Sequence, residues 1–312
     1  MAKKKQRRSV HGVLVLDKPL GLSSNQALQR AKFLFNAAKA GHTGALDPLA
    51  SGVLPLCFGE ATKFSQYLLD ADKRYQATFR LGLATESGDM DAPVVHEGDA
   101  SAITEDQVLQ AVANYRGNIE QVPPMYSALK HQGQPLYKLA REGKEIERPP
   151  RAVCVYVYEV LDFRPGPNAE LDVDIHCSKG TYIRSLAIDL GMDLGVGAVV
   201  SKLRRTQAGP YELENTVSLE QLESLAQLGN DSLDATLAPV DSPLTTLPEI
   251  SLPQDSSFYF RQGQAVLEQK VYRFAEEGDK VRVFSETGDF LGVGEVEAAG
   301  RIAPKRVVAA LN

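Results

Sequence analysis

The chain has 312 residues, 43% of them hydrophobic and 24% charged, and a formal net charge of −6. That is ordinary globular composition, enough for one large core and a small second domain. Cys57, Cys154 and Cys177 are widely spaced, with neither metal-ligand spacing nor a disulfide framework, and read as buried free thiols of a reducing cytosol; no apolar run reaches membrane-spanning length.

The basic start, Lys3-Lys4-Lys5-Gln6-Arg7-Arg8, is not followed by the apolar region of a signal peptide, Val13–Leu16 being too short, so residues 1–11 are expected to form a disordered basic tail. Gly12–Leu16 is predicted to be a strand and Asp17–Gly21 its turn. Ser23 with Gln26 three residues on is a capping-box signal, and Ala27, Leu28, Ala31, Leu34 and Phe35 then recur at helical spacing to about Ala38. Val53–Phe58 reads as a buried strand, Ala61–Leu69 as a helix, and Tyr75, Ala77, Phe79 and Leu81 as the inward face of a strand. Glu86–Gly98 is a polar loop. Thr104 with Gln107 caps a helix ending near Gly117. Val122–Arg151 is bounded by prolines and basic, an excursion with a short helix around Pro135–Glu142. Val153–Phe163 and Leu171–Cys177 are strands; Tyr182–Leu194 and Val217–Leu228 are helices. Strands and helices mix without regular βαβ alternation, which predicts an α/β (α+β) fold on a mixed, largely antiparallel sheet. Pro239–Pro253 reads as a linker. Beyond it Tyr272–Phe274, Val281–Phe284 and Phe290–Val296 are short strands of a small β-barrel. The negative total argues mildly against nucleic-acid binding, but a basic face matters more than a sum. Lys130, His131, Lys138, Arg141 and Lys144 form one local cluster, and Lys202, Arg204 and Arg205 another.

Residues 41–63, GHTGALDPLASGVLPLCFGEATK, are the most informative stretch. Asp47 sits between Gly44 and Gly52, Pro48 biases it away from helical backbone, and His42 and Thr43 add a flat polar ring and a hydroxyl. On spacing alone this is either a turn punctuated by glycine or a stiff loop presenting one acid. No second acid lies near it in the sequence, and the chain has no P-loop, no GxGxxG and no Cys/His cluster.

The wording of the segment closely resembles the catalytic motif of the bacterial tRNA pseudouridine synthases that act on uridine 55 of the T loop, the TruB family. Asp17-Lys18-Pro19-Leu20-Gly21-Leu22-Ser23-Ser24 resembles that family's first motif, Lys73-Arg74-Tyr75 its tyrosine segment, and Tyr126-Ser127-Ala128-Leu129-Lys130 its insertion. His176–Arg184 and Leu203-Arg204-Arg205 resemble its later motifs. The resemblance implies a pseudouridine-synthase domain over 12–250, with the insertion at 122–151, and a PUA-like RNA-binding domain over 251–312. It implies Asp47 as nucleophile, Arg184 as its partner through a forked contact, and Tyr75 as a stacking platform whose hydroxyl serves the reaction. Tyr182 gives a second flat face and Leu203 an apolar wall. His42 would occupy the place left by a flipped base, and Lys130 would help the insertion grip RNA. Lys18 and Pro19 would brace the Asp47 loop. Breaking N1–C1′, rotating the uracil and rejoining it through C5 demands no redox cofactor and no metal. The expected partner is the T-arm stem-loop of tRNA, met by a monomer in the cytoplasm without a protein partner or membrane. Two rival readings remain: a tRNA-binding folding chaperone in which catalysis is dispensable, and a glycosidase-like enzyme using Asp47.

Overall fold

Glycine at position 12 opens a strand in which every residue but Asp17 is buried, and this strand (β1, Gly12–Lys18) lies near one edge of the main sheet. The computed structural model describes residues 6–309. After β1 come α1 (Ser24–Leu34), β2 (Ala40–His42), β3 (Ala50–Phe58), α2 (Ser65–Asp70) and β4 (Lys73–Leu81). A small hairpin, β5 (Leu83–Thr85) and β6 (Val94–Glu97), leads to α3 (Glu105–Ala113) and β7 (Gly117–Gln121). The insertion carries β8 (Lys130–His131), β9 (Gln134–Pro135) and α4 (Leu136–Arg141). Long strands β10 (Arg151–Arg164) and β11 (Glu170–Cys177) precede α5 (Ile183–Asp193) and β12 (Ala198–Ala208). The domain closes with β13 (Tyr211–Glu212), β14 (Val217–Ser218), α6 (Leu219–Leu228) and α7 (Asn230–Asp234).

Ten strands make one mixed sheet in the order β14-β1-β3-β12-β4-β11-β10-β7, with β2 and β13 paired beside it. Its strand pairs are antiparallel except β1 with β14 and β3 with β12. Register aligns Lys18, Gly52, Arg205, Tyr75 and Ile175 in a row across five strands. Gly52 makes that row possible: its φ is +102°, and a Cβ there would lie 2.2 Å from the Arg205 carbonyl oxygen. One core cluster packs α1 and α6 on β1 and β3 through Leu14, Leu54, Ala27 and Leu222; another packs α3 and α5 on β4, β10 and β11 through Phe79, Val173, Val112 and Leu186. Tyr75 and Leu203 touch both clusters and so stand at the seam between them.

The C-terminal sheet runs β15 (Glu249–Leu252), β17 (Lys280–Ser285), β18 (Phe290–Glu297), β19 (Arg301–Val307) and β16 (Val266–Leu267), with α8 (Gln254–Arg261) packed on it. It agrees with the small β domain expected from sequence, with Tyr272–Phe274 corrected from strand to the end of a 3-10 turn.

Other expectations are also corrected. Of the tail expected to be disordered, residues 1–5 lie outside the described residues, but Arg8 hydrogen-bonds to Asn36 and Ala38 through its backbone and Val10 is buried in the core. Apolar Val10 and backbone pairing outweigh the basic composition. The Glu86–Gly98 loop contains β6, and Ala61–Leu69 splits into a 3-10 turn and α2. Pro239–Pro253 is no free linker: Val240 and Leu244 are buried in a third cluster that joins Val13, Val53, Phe64 and Leu68 of the first domain to Val293 and Val308 of the second. Phe64 and Phe290 meet at 5.4 Å, and Arg282 donates to the Asp241 carboxylate at 3.0 Å and the Leu247 carbonyl at 3.2 Å. Burying one such apolar side chain contributes about 1.5–3 kcal/mol. A chain ending at Pro248 should therefore melt at least about 10 °C lower than the full chain, or fail to fold. Unchanged melting by circular dichroism would contradict the shared core. Among the described residues no helix is long and apolar enough to cross a membrane.

Candidate active site

The Asp47 loop is held from four directions. Ser24, first residue of α1, donates its Oγ to the Leu46 carbonyl at 3.0 Å and accepts from the Leu46 N–H at 2.7 Å. The Gly21 N–H donates to the Pro48 carbonyl at 2.8 Å, so the β1–α1 turn grips the loop beyond the acid too. The Thr43 N–H and Oγ1 both donate to the Pro55 carbonyl. Arg205, 1% exposed, donates to the Val53 carbonyl at 2.7 Å and to the Gly44 carbonyl at 3.1 Å. The loop is a braced platform, and the Asp47 side chain stands out from it 44% exposed. Lys18 braces the preceding turn. It is buried and donates Nζ to the Pro19 and Leu22 carbonyls. Burial pushes it down to about 8, with the Asp47 carboxylate pulling the other way.

Arg184, on the first turn of α5, meets Asp47 with Nη2 at 2.9 Å from Oδ2. Its side chain is 6% exposed, so a buried cation fixes a partly exposed acid. The forked contact expected from sequence is not formed. Nη2 also donates to the Tyr126 carbonyl at 2.7 Å, Nη1 donates to the Ser87 carbonyl at 3.1 Å, and Nε lies 3.5 Å from Asp89 Oδ2. The planar guanidinium is divided among four acceptors on three segments, which leaves only one nitrogen for Asp47.

Asp89 corrects a second expectation. Sequence reading finds no second acid beside Asp47, yet the turn after β5 brings one to the same guanidinium. Burial pushes its carboxyl up to about 7; Arg184 opposes and Asp47 adds to the shift. The folded state then holds more protons than the unfolded chain between the ordinary aspartate value and that raised value. Stability from this group is present at low pH and falls as pH rises through that window. In Asp89→Asn the fall disappears. Thermal melts at pH 5 and pH 8 should differ more in wild type than in the variant, by on the order of 2 kcal/mol. Parallel pH dependence in the two proteins would refute the buried protonation.

Tyr75 pairs with Arg205 across β4 and β12, with Leu203 two positions along β12. Burial raises the Tyr75 hydroxyl above the usual tyrosine range, and the Arg205 guanidinium beside it opposes. The hydroxyl is thus protonated at neutral pH and can serve as a donor. Tyr75→Phe should keep RNA affinity within about threefold and lower turnover by at least about tenfold, because the ring stays and the donor goes. Equal single-turnover rates would leave Tyr75 with stacking alone. Tyr182 caps α5, its N–H donating to the Gln121 side-chain oxygen at 2.9 Å while Gln121 Nε2 donates to the Tyr182 carbonyl at 3.2 Å. This clasp sets where the ring and Arg184, two residues on, are placed. His42, on β2, pairs with Leu56. Burial, then Arg205, lowers its titration below the ordinary histidine range, so it is a neutral ring near the loop.

Tyr75 and Leu203 therefore stand at the seam, Asp47 is paired with Arg184 and its charge reaches Tyr75 and Tyr182, and His42 lies within reach of the Arg205 charge. Lys130 lies apart, exposed on the hairpin of the insertion. The insertion reaches the site through Tyr126, whose carbonyl meets Arg184 and whose hydroxyl donates to Glu86 at 3.0 Å. The cluster Lys202, Arg204, Arg205 is no basic face: Arg205 is buried, and Arg204 makes the two-point contact with Asp17 at 2.8 and 3.1 Å. Ser24, quoted from the sequence only within the first motif, and Asp89 and Gln121, which the sequence reading did not single out, contact the Asp47 loop, Arg184 and Tyr182 respectively. Only Ser24, next to the capping Ser23, left a local signal.

Comparison with known proteins covers the chain almost end to end. Residues 32–183 match the family model "TruB family pseudouridylate synthase (N terminal domain)", and 184–245 match "tRNA pseudouridylate synthase B C-terminal domain". Residues 248–308 match "Pseudouridine synthase II TruB, C-terminal". The chain is 56% identical over 311 residues to the tRNA pseudouridine synthase B of Saccharophagus degradans, covering 98% of each chain. It is 53% identical to that of Pseudomonas aeruginosa, again over 98% of both. A chain from the crystal structure of a Cbf5–Nop10–Gar1 complex shares the fold with a TM-score of 0.72 at 26% identity, over 95% of this chain and 84% of that one.

Proposed function

The chain belongs to the TruB family of pseudouridylate synthases and is a tRNA pseudouridine synthase; on that premise we propose that it isomerises uridine 55 in the T loop, with Asp47 as the nucleophile. The observation that carries the assignment of Asp47 is its 2.9 Å contact with buried Arg184 on a loop braced by Ser24, Gly21 and Arg205. An acid so fixed needs no reorganisation when it attacks. The target base is stacked in the folded RNA and is flipped out at a cost of a few kcal/mol, offset by stacking in the pocket. Tyr75 and Tyr182 supply flat faces, Leu203 an apolar wall, and His42 the ring that fills the vacated place. Asp47 forms a transient bond to the sugar at C1′ or to the base at C6, the glycosidic N1–C1′ bond breaks, the uracil turns, C5 bonds to C1′ and the Asp47 bond breaks; C5 gives up its proton and N1 takes one up, so no net proton is lost. The Tyr75 hydroxyl donates during that exchange. The insertion, with Lys130 at its tip, grips the T-arm by shape and phosphate contacts, and the C-terminal sheet adds a second RNA contact. The enzyme acts as a monomer in the cytoplasm, where its free thiols Cys57, Cys154 and Cys177 stay reduced.

The test is tritium release from tRNA labelled at C5 of uridine, followed by mapping of the modified position. Release with pseudouridine at position 55 is expected. Binding without release would favour a folding chaperone. Release mapped elsewhere would refute the site.

A further inference from the structure

The end of α1 farthest from the Asp47 loop carries an open cavity of about 560 Å³ that the chemistry above does not use. Arg7, Arg8 and Lys32 line it, with Gln29 and Asn230 as amide neighbours. Phe33 also lines it and is 82% exposed, the most exposed large apolar side chain among the described residues.

The cavity is built. The Arg8 N–H donates to the Asn36 carbonyl at 2.7 Å, the Ala38 N–H donates to the Arg8 carbonyl at 2.9 Å, and Asn36 Nδ2 donates to the Gln6 carbonyl at 3.2 Å. Asn36 adopts φ +48° where the chain leaves the helix. These bonds pin the N-terminal segment across the helix end, where Arg7 and Lys32 line the same cavity. Arg8 is neutralised by Asp234. Among the described residues, Arg7 and Lys32 have no carboxylate within salt-bridge distance. Two uncompensated cations lining one concavity, in a chain whose net charge is −6, are complementary to an anion. A bare aromatic ring at the rim of the same concavity suits a base face, and the pairing of cations with an exposed ring is the chemistry of unpaired nucleotides.

We propose that this cavity is a second RNA-contact site, taking unpaired or looped nucleotides of the same RNA outside its target arm, with phosphate on Arg7 and Lys32 and a base on Phe33. The proposal rests on the tRNA reading above. The two places are close in the fold: α1 has 11 residues, so its two ends lie about 16 Å apart, and its first residue is bonded to the Asp47 loop.

The experiment compares full-length tRNA with an isolated stem-loop holding the target uridine. Binding and turnover are measured for wild type, the double variant R7E/K32E and Phe33→Ala. In the double variant the full-length Kd should weaken about tenfold, and the slope of log K against log salt should flatten by about 1.4, two contacts at about 0.7 each. In Phe33→Ala affinity should fall by about tenfold with the slope unchanged, since stacking releases no counterion. Stem-loop affinity and saturated turnover should stay at wild-type values in both. Arg7 and Phe33 are exposed and Lys32 is half-buried, and an unchanged melting temperature checks that each variant stays folded. Unchanged full-length affinity in a wild type that turns over tRNA overturns the second site and leaves the enzyme reading standing. Equal loss on both RNAs also overturns it, because the contact is then with the target arm. A wild type that neither binds nor modifies tRNA removes the enzyme reading and this site with it.

Discussion

Replacing Asp47 by asparagine should abolish pseudouridine formation while tRNA affinity stays within about tenfold, or about 1.4 kcal/mol. The amide keeps the size of the side chain and loses the charge and the nucleophilic oxygen. The loop does not depend on that carboxylate for its shape: Ser24, Gly21, Thr43 and Arg205 hold the backbone on either side of it. Arg184 keeps Asp89 and two carbonyl partners, so the cation is not stranded. A folded, RNA-binding, inactive protein is therefore the expected result. Single-turnover assays with excess enzyme decide it, and product formed by the Asn protein at a measurable rate would remove Asp47 from the chemistry. Asp89 makes the experiment sharper, since a second acid shares the same guanidinium and is the group that residual activity would implicate.

Arg184→Lys should cut turnover by at least about a hundredfold and lower stability by about 2–4 kcal/mol, although the charge is kept. Arg184 reaches Ser87, Tyr126, Asp47 and Asp89 with three nitrogens spread over a plane. A lysine brings one nitrogen to one point of that plane, so at least two acceptors lose their donor in a buried place. Each lost partner costs about 1–3 kcal/mol when the group stays buried. Asp47 also loses the lateral restraint that holds it in one rotamer, and misplacement of a catalytic group is costly in rate. Near wild-type turnover in the Lys variant would show that charge alone suffices. Turnover lost without any change in melting temperature would show that Ser87 and Tyr126 find other donors.

Much of this molecule was legible where the signal is local. The capping boxes at Ser23 with Gln26 and at Thr104 with Gln107 are present as read, because both partners lie within one helical turn. The alternation of Tyr75, Ala77, Phe79 and Leu81 marks the core-facing side of β4, since a strand's two faces differ in solvent. What failed was long-range. β12 was not foreseen: Lys202, Arg204 and Arg205 look like surface, and only pairing with β3 and β4 shows that Arg205 lies inside the sheet and bonds to the Val53 carbonyl of β3 and the Gly44 carbonyl of the loop. Asp89 lies 42 positions from Asp47 in sequence and is brought beside it by the β5–β6 hairpin. The proline-rich segment near Pro243 looked like a tether because proline content says nothing about what packs on it; buried Leu244 shows otherwise. The acid itself stood out because glycine and proline leave a local trace, whereas its supports are distributed over the fold.

The core shared by the two sheets has one more consequence. Phe64 against Phe290, with Val13, Leu68, Val293 and Val308 in the same cluster, joins the domain that carries the acid to the C-terminal strands through buried side chains instead of a tether. If RNA meets the C-terminal strands as proposed above, it meets two surfaces joined by packed side chains, as two jaws of one casting are.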